Sequence, residues 1–265
     1  MVLVLKKIVL SVALLVVSVT FAAQQKPADQ KKQQPSEQEQ AMVQHLYETQ
    51  MSGSDSAFYE AHWTFMDYLE SRQEWDKYYR TWLNRVIYEV NHKHFHRAFT
   101  EIHLITDHIK EHHLEQYLYI SNMGLGFFYN GRNQPEMGEK YFRRALHGID
   151  AGREPVAVFN AYLSLAQSLS FKHPAEAMAC LDSLPQQMLA NPMYESGVLG
   201  YRCIIANKMG DREAFYRYYA KYDSIRQNLP AQFNAANLQQ VMVCHSLMQN
   251  DYQQALAWCD SLDVP

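Results

Sequence analysis

Six small residues recur along this chain at a nearly constant interval, and this periodicity restricts the fold to a repeated architecture. The intervals are 41, 40, 39, 37 and 41 residues, and the residues are Ala57, Ala98, Gly138, Ala177, Ala214 and Ala255. Each follows a turn rich in Gly, Pro, Asn, Asp or Ser. Apolar residues then continue at helical spacing, as Ile102 and Ile105 do after Ala98. Each interval therefore predicts one helix before the turn and a second helix after it.

The stretch from Asn122 to Leu146 shows the predicted pair most clearly. Its first helix carries Leu125, Gly126 and Tyr129, and its second carries Gly138, Phe142 and Ala145, which share one face at spacings of four and three. A glycine inside a helix costs about 1 kcal/mol relative to alanine. Gly126 and Gly138 therefore predict a place where the two backbones approach closely.

This stretch resembles a tetratricopeptide repeat, whose signature is W-x2-L-G-x2-Y followed by A-x3-F, an Ala and a Pro. Leu125, Gly126, Tyr129, Phe142 and Ala145 match in order. Asn122, Gly138 and Asp150 replace the Trp, the first Ala and the Pro. The spacing here also exceeds the 34 residues of the consensus.

The resemblance implies an all-α chain, a right-handed α-solenoid of about six helix pairs. The repeats are predicted at about residues 41–72, 73–112, 113–152, 153–190, 191–230 and 231–265, and together they form one repeat domain, residues 41–265. The packing residues of this solenoid are predicted to be Ala57, Ala98, Leu125, Gly126, Tyr129, Gly138, Phe142, Ala145, Ala177, Ala214 and Ala255.

The N-terminal residues predict export. Lys6 and Lys7 precede an uncharged apolar run, and Thr20-Phe21-Ala22 places small residues at a cleavage site. Residues 1–22 are therefore predicted to be a secretory signal peptide, which makes the protein periplasmic. Residues 23–40 are rich in Gln, Lys, Pro, Ser and Glu and are predicted to be a disordered tether.

The residues give no indication of catalysis or of a cofactor. GxxxxGK[ST], GxGxxG, HExxH and GxSxG are all absent, and a formal net charge of −4 does not suit nucleic-acid binding. His108 and His112 could share a helix face, but no thiolate or carboxylate stands at a metal-site spacing, so no metal is expected. Cys180, Cys203, Cys244 and Cys259 are expected to be packed thiols rather than a disulfide framework. The prediction is a binding module, not an enzyme.

Aromatic residues are concentrated in two segments. Ten lie between Phe58 and Tyr88, and five more lie between Phe215 and Tyr222, where Arg212, Arg217 and Lys221 accompany them. Most are expected to fill the core between stacked helices. Two or three of them are expected to face a ligand, which could be a peptide or a glycan.

By resemblance, the first helix of each pair lines the concave groove. This implies that a protein or peptide ligand, with a glycan as the alternative, contacts Met123, Phe127, Asn130, Gln167, Ser170, Asn207 and Gln240. The exported repeats resemble the N-terminal sensory region of two-component sensor proteins in Bacteroidetes, so we expect signal transduction through a membrane-anchored partner. A stand-alone periplasmic scaffold that organises envelope proteins is the alternative, and a helical hydrolase or metal-dependent enzyme is a third reading.

The last predicted helix carries Leu256 and Trp258, which leaves apolar surface beyond the final pair. Isolated repeat arrays usually end in a polar cap. We therefore expect this surface to be covered, either by further repeats of a longer sensor or by a second copy in a homodimer.

Overall fold

A computed structural model describes residues 36–51, 54–229 and 235–260. The predicted signal peptide and residues 23–35 of the predicted tether lie outside the described residues. The described part contains thirteen α-helices and no strand, which confirms the all-α prediction. The helices are α1 Glu37–Met51, α2 Asp55–Ser71, α3 Trp75–Asn91, α4 Phe95–Glu111, α5 Leu118–Gly131, α6 Pro135–Gly148, α7 Pro155–Leu169, α8 Pro174–Asp182, α9 Gln186–Leu189, α10 Pro192–Met209, α11 Arg212–Arg226, α12 Ala235–Met248 and α13 Tyr252–Asp260.

Twelve of these helices follow one another as consecutive pairs, with the short α9 between the fourth and fifth pairs. The two helices of each pair pack together. The first helices α3, α5, α7, α10 and α12 also pack against one another in succession, while α2, α4, α6 and α8 pack on the first helix of the next pair. An amphipathic helix pair buries its apolar face against its neighbours, and this stacking creates a large hydrophobic core from α1 to α10 and a second, smaller one among α10, α11 and α12. The right-handed twist and the number of repeats stay predictions.

Polar contacts between neighbouring pairs recur at an interval of 38 residues. Lys77 Nζ donates to Glu39 Oε1 at 2.5 Å, and Arg97 Nη1 donates to the Tyr59 hydroxyl at 3.4 Å. Further along the chain, the Asn130 amide donates to Ser168 Oγ at 2.9 Å. An equal sequence offset at each contact shows that successive pairs pack in the same register.

Six turns share one backbone geometry. In each, the N–H of the residue after the turn donates to the carbonyl five residues earlier, as in His94 to Glu89 and Gln134 to Tyr129, and the six bonds span 2.8–3.0 Å. This bond, characteristic of a Schellman motif, needs a residue with positive φ. Gly210 is the residue with positive φ in one of these turns. In the other five turns this residue is Gln73, Lys93, His113, Asn133 or Asn250, with φ between 55° and 62°.

The predicted glycine pair lies where α5 and α6 approach most closely. A Cβ on Gly126 would come within 2.5 Å of Phe142 Cε1, and one on Gly138 would lie 3.2 Å from the Gly126 carbonyl oxygen. It would also collide with Asn130 Oδ1. Neither glycine therefore leaves room for a side chain between the two helices.

Two helix boundaries differ from the sequence prediction. Helix α1 begins at Glu37, because Glu39 is buried and paired with Lys77, so residues 37–40 belong to the first pair and not to a tether. The second helix of the fourth pair ends at Asp182 and resumes as α9 at Gln186. Pro185 causes this break, since proline disfavours helical backbone at the residue before it and cannot donate a helical hydrogen bond.

The last helix exposes apolar side chains, as expected. Tyr252 is 63% exposed and Leu256 is 51% exposed, whereas Trp258 is partly buried. The expected cover, by further repeats or by a homodimer partner, stays a prediction.

The glycine contact predicts a position-specific cost of adding one methyl group. Gly138→Ala is expected to destabilise the protein by about 1–3 kcal/mol, because the new Cβ must displace Asn130 or separate the helices. Gly148→Ala, on the same helix, is the matched control and should cost nothing, since its Cβ would meet only Tyr119 Cβ at 3.5 Å. Urea unfolding of both variants measures the difference, and equal stabilities would contradict the close approach.

The turn geometry predicts that glycine is preferred at an exposed, charged position. Lys93→Gly is expected to stabilise the protein by up to about 1 kcal/mol, because it relieves the strain of φ 62°. Lys93→Ala removes the same side chain but keeps the Cβ, so its stability should match the wild type. Thermal unfolding of the two variants compares them directly, and an alanine variant as stable as the glycine variant would argue against the strain.

Candidate functional site

The N-terminal ends of three successive first helices meet in one polar cluster, called here the Arg80 cluster. It consists of Asp76 and Arg80 on α3, Tyr117 and Tyr119 at the start of α5, and Glu154 just before α7. Because α3, α5 and α7 pack side by side, residues up to 78 positions apart in the chain come together here.

Arg80 lies at the centre of the cluster between two carboxylates. Its Nη2 donates to Asp76 Oδ2 at 2.8 Å, and its Nε donates to the Asp76 carbonyl at 3.1 Å. On its other side, Nη1 lies 3.9 Å from Glu154 Oε2, which is an ion pair but too long for a hydrogen bond. The side chains of Arg80 and Glu154 are only 16% and 12% exposed, so solvent screens this alternation of charge weakly.

The Tyr119 hydroxyl has no hydrogen-bond partner within the described part of the chain. The residue is 2% exposed, and burial, reinforced by the charge of Glu154, raises the pKa of its hydroxyl well above the ordinary value. Burying a polar group without a partner costs roughly 1–3 kcal/mol. The Tyr119 hydroxyl has no surface open to a ligand, so it belongs to the packed side of the cluster.

Tyr117 within the cluster and Tyr194 next to it also have raised pKa values. Burial raises the pKa of Tyr117, and the charges of Asp76 and Glu154 raise it further. Burial also raises the pKa of Tyr194, on α10, to about 12, while the charge of Arg80 lowers it. The field of Arg80 therefore reaches the fifth pair, and all three hydroxyls stay protonated at neutral pH.

An aromatic wall borders the cluster. The rings of Tyr117 and Tyr79 lie 5.1 Å apart, and Trp75 stacks against Tyr79 at 6.3 Å. Tyr79 is fully buried, whereas Trp75 and Tyr117 are partly exposed. Tyr117 is thus the partly exposed ring among the polar groups, whereas Trp75 lies beyond Tyr79 and packs on His108 and His112.

The residues predicted to line a groove lie outside the Arg80 cluster. Met123 and Phe127 are 2% and 6% exposed, and Phe127 packs on Phe142 at 5.1 Å. Ligand contact by these two side chains does not fit this placement, because they face the second helix of their own pair. The reason is that a helix turns about 100° per residue, so a small error in register exchanges the core face for the groove face.

The polar members of that set give the same result. Ser170 and Gln240 are buried, and Ser170 Oγ accepts from Lys208 Nζ at 2.7 Å. Asn130 is bonded to Ser168, and Gln167 and Asn207 are half-buried. Ser170 and Gln240 were expected to contact a ligand, but both side chains are buried.

Most of the predicted packing residues are buried. Ala98, Phe142, Ala145 and Ala177 are fully buried, and Gly126, Gly138, Ala214 and Ala255 are nearly so. Ala57, Leu125 and Tyr129 are only half-buried, and Tyr129 stacks on Tyr141 at 5.4 Å. In the first pair, Ala61 is the buried alanine, one helical turn after Ala57.

His108 and His112 stack face to face, with ring centroids 4.2 Å apart. His108 Nδ1 is hydrogen-bonded to the Tyr79 hydroxyl at 2.9 Å, and burial together with the charge of His112 lowers its pKa. The described residues contain no group of three or more His, Cys, Asp or Glu side chains that could hold a metal ion. These two histidines pack among aromatic rings.

The four cysteines are free thiols, and three of them are buried. Burial raises the pKa of the Cys180 thiol to about 11 and that of the Cys244 thiol to about 12. Nucleophilic and metal-binding chemistry requires the thiolate, which these environments disfavour. The cysteines therefore act as packing residues.

The second aromatic segment also lies largely in the core. Phe215 and Tyr222 are buried, and Tyr219 stacks on His245 with ring centroids 4.3 Å apart. Arg212 lies over Tyr216 and Arg217 over Tyr218, at 5.7 and 5.3 Å from the ring centroids. These basic residues pack on the rings of their own helix.

Sequence reasoning did not identify the Arg80 cluster, because its members share no motif and only packing brings them together. The available signals were the Asp76–Arg80 pair, spaced four apart on a helix, and Glu154 directly before the proline that begins α7. Neither signal indicates which other helix supplies a partner.

Comparison of the chain with protein-family models, with curated proteins and with solved structures gives no match. Among the described residues, no helix is both long and apolar enough to cross a membrane.

Burial of His62 predicts a pH dependence of stability. His62 is fully buried, its Nε2 is bonded to the Thr81 carbonyl at 2.8 Å, and burial lowers its pKa to about 3. Between pH 3 and 6.5 the unfolded chain binds the proton more tightly, so stability falls as the pH falls. From pH 7 to pH 5 the loss should be about 2 kcal/mol.

Urea unfolding at pH 5 and pH 7 measures this difference. His62→Gln should make the protein less pH-dependent, whereas His96→Gln, at an exposed position, should leave the dependence intact. If the wild type and His62→Gln lose equal stability between the two pH values, His62 is not the responsible group.

Proposed function

We propose that this protein is an exported, non-catalytic binding module whose ligand occupies the Arg80 cluster. The observation that supports this most directly is the partly exposed Arg80 guanidinium, which lies between Asp76 and Glu154. Pre-formed sites characteristically combine an apolar wall with a few convergent polar groups and shifted pKa values. Tyr117 provides a partly exposed ring at this site.

The chemistry of the cluster favours binding over catalysis. The raised pKa values keep Tyr117 and Tyr119 protonated at neutral pH, so neither hydroxyl is available as a general base. Arg80 is held at two of its nitrogens by Asp76. Groups that are rigid and neutralised by their neighbours suit recognition, because little ordering entropy is lost when the ligand arrives.

The resemblance to the sensory region of two-component sensor proteins supports a role in signal transduction from the periplasm. In this proposal the N-terminal segment directs export, and the helix pairs convey ligand binding to a membrane-anchored partner. Stacked pairs suit this task, because each contacts only its neighbours and a change at one junction alters the next. Arg80 and Glu154 join the second pair to the fourth, so a ligand between them would act on that junction.

A chromosomal deletion complemented with matched variants tests this function. Glu154→Gln removes the charge facing Arg80, whereas Glu139→Gln removes the charge of an exposed pair with Arg143. We expect the deletion to change a restricted set of transcripts. Wild type and Glu139→Gln should restore them, and Glu154→Gln should not, although all three should accumulate equally in the periplasmic fraction.

Two results would contradict the proposal. Full restoration by Glu154→Gln would remove the cluster from the function. Recovery of the protein from the cytoplasmic fraction with residues 1–22 attached would rule out the periplasmic role.

A further inference from the structure

Lys208, near the end of α10, holds its amine against neutral groups. Its Nζ donates to Ser170 Oγ at 2.7 Å and lies 4.2 Å from the centroid of the Phe171 ring. It forms no ion pair within the described residues, whereas Lys172 and Lys221 each pair with a carboxylate. Burial lowers the pKa of Lys208 to about 8, so about a tenth of its amine is neutral at pH 7.

The hydrogen bonds around Lys208 leave the lone pair of the neutral amine unused. Ser170 Oγ donates its own hydrogen to the Gln167 carbonyl at 2.7 Å, so towards Lys208 it can only accept. The contact with Ser170 therefore uses a hydrogen of the amine and not its lone pair. That lone pair is free to attack an electrophilic carbon, which is the first step of covalent chemistry by a lysine.

The surface beside Lys208 is exposed and apolar. Lys208 itself is partly exposed, Phe171 is 44% exposed and Met209 is 47% exposed. Phe171 follows Ser170 in the chain and its ring contacts the amine, so the exposed part of this ring lies next to the nitrogen. A molecule that reaches the amine can therefore bury an apolar group on this ring.

We infer that Lys208 is a nucleophilic amine that forms an imine with an aldehyde whose apolar group packs on Phe171. The lone pair of the amine attacks the carbonyl carbon and gives a carbinolamine, and loss of water then leaves a carbon–nitrogen double bond. The released water takes its oxygen from the aldehyde and its two hydrogens from the amine, so the step needs no oxidant or reductant. Ser170 caps the C-terminal end of α7, whereas Glu154 precedes its N-terminal end, so this site is separate from the Arg80 cluster.

The test treats the purified protein with hydrocinnamaldehyde and sodium cyanoborohydride, which reduces an imine to a stable secondary amine, and locates the adducts by peptide mass spectrometry. We expect Lys208 to be labelled roughly tenfold or more faster than Lys172 and Lys221 at neutral pH. The ion pairs of those two residues favour the ammonium form, which has no lone pair. The same reaction in urea should remove the preference, because all lysines then share one environment.

Three variants separate the amine from its apolar neighbour. Lys208→Arg keeps the positive charge but has no nucleophilic amine, so the selective adduct should be lost. Phe171→Ser keeps the amine and should reduce the preference for hydrocinnamaldehyde over propanal, which lacks the ring, by roughly three- to tenfold. Phe99→Ser is the matched control, because Phe99 is a phenylalanine of similar exposure, 39%, on α4. It should keep the wild-type preference.

Two results would overturn the inference. Equal labelling of Lys208 and Lys172 in the folded protein would show that Lys208 is not a nucleophilic amine, and this comparison needs only the wild type, so it holds even where a variant does not fold. Selective labelling of Lys208 with equal rates for hydrocinnamaldehyde and propanal would show that the site does not select an apolar aldehyde. Neither result bears on the Arg80 cluster, which the deletion experiment tests by itself.

Discussion

The close approach of the two helices in a pair is the contact on which the rest of the structure depends. At the α5–α6 junction there is no room for a Cβ on Gly126 or Gly138, and Phe142 occupies the space above Gly126. Elsewhere alanine takes the small-residue position, as Ala98 and Ala177 do with no exposed surface. A larger residue would separate the helices, and the contacts between successive pairs would lose their common 38-residue register.

That register also creates the Arg80 cluster. The first helices pack side by side, so their N-terminal ends lie next to one another and combine polar residues from separate pairs. Here the chain retains groups that do not maximise stability, notably the unpartnered Tyr119 hydroxyl and the 3.9 Å gap between Arg80 and Glu154. Other buried carboxylates are fully bonded, since Glu89 accepts from the Tyr59 hydroxyl at 2.5 Å and Glu101 from Trp82 Nε1 at 2.7 Å, whereas the Tyr201 hydroxyl is also unpartnered within the described residues.

The sequence by itself determined the helical class, the turns and the glycine contact. These features depend on local properties: periodic apolar residues, helix-ending residues and the space that a missing side chain leaves. It also indicated which segments would be rich in buried aromatics, since Phe58 and Tyr79 are core residues. The start of α1 at Glu37 was not predicted, because the residues around it are polar. The contact of Glu39 with Lys77 on α3 stabilises this helical turn, and the local sequence does not indicate that contact.

Only the tertiary structure decided which polar residues meet. Met123 and Phe127 were expected to face a ligand but lie in the core, because a local pattern does not fix how far a helix is rotated against its neighbours. Asp76, Arg80, Tyr119 and Glu154 carry no shared motif and come together through the stacking of three helices. Helix formation depends on residues three and four apart in the sequence. A site built across helix pairs depends instead on packing between residues about 38 or more apart, and a local sequence pattern does not determine which of these residues meet.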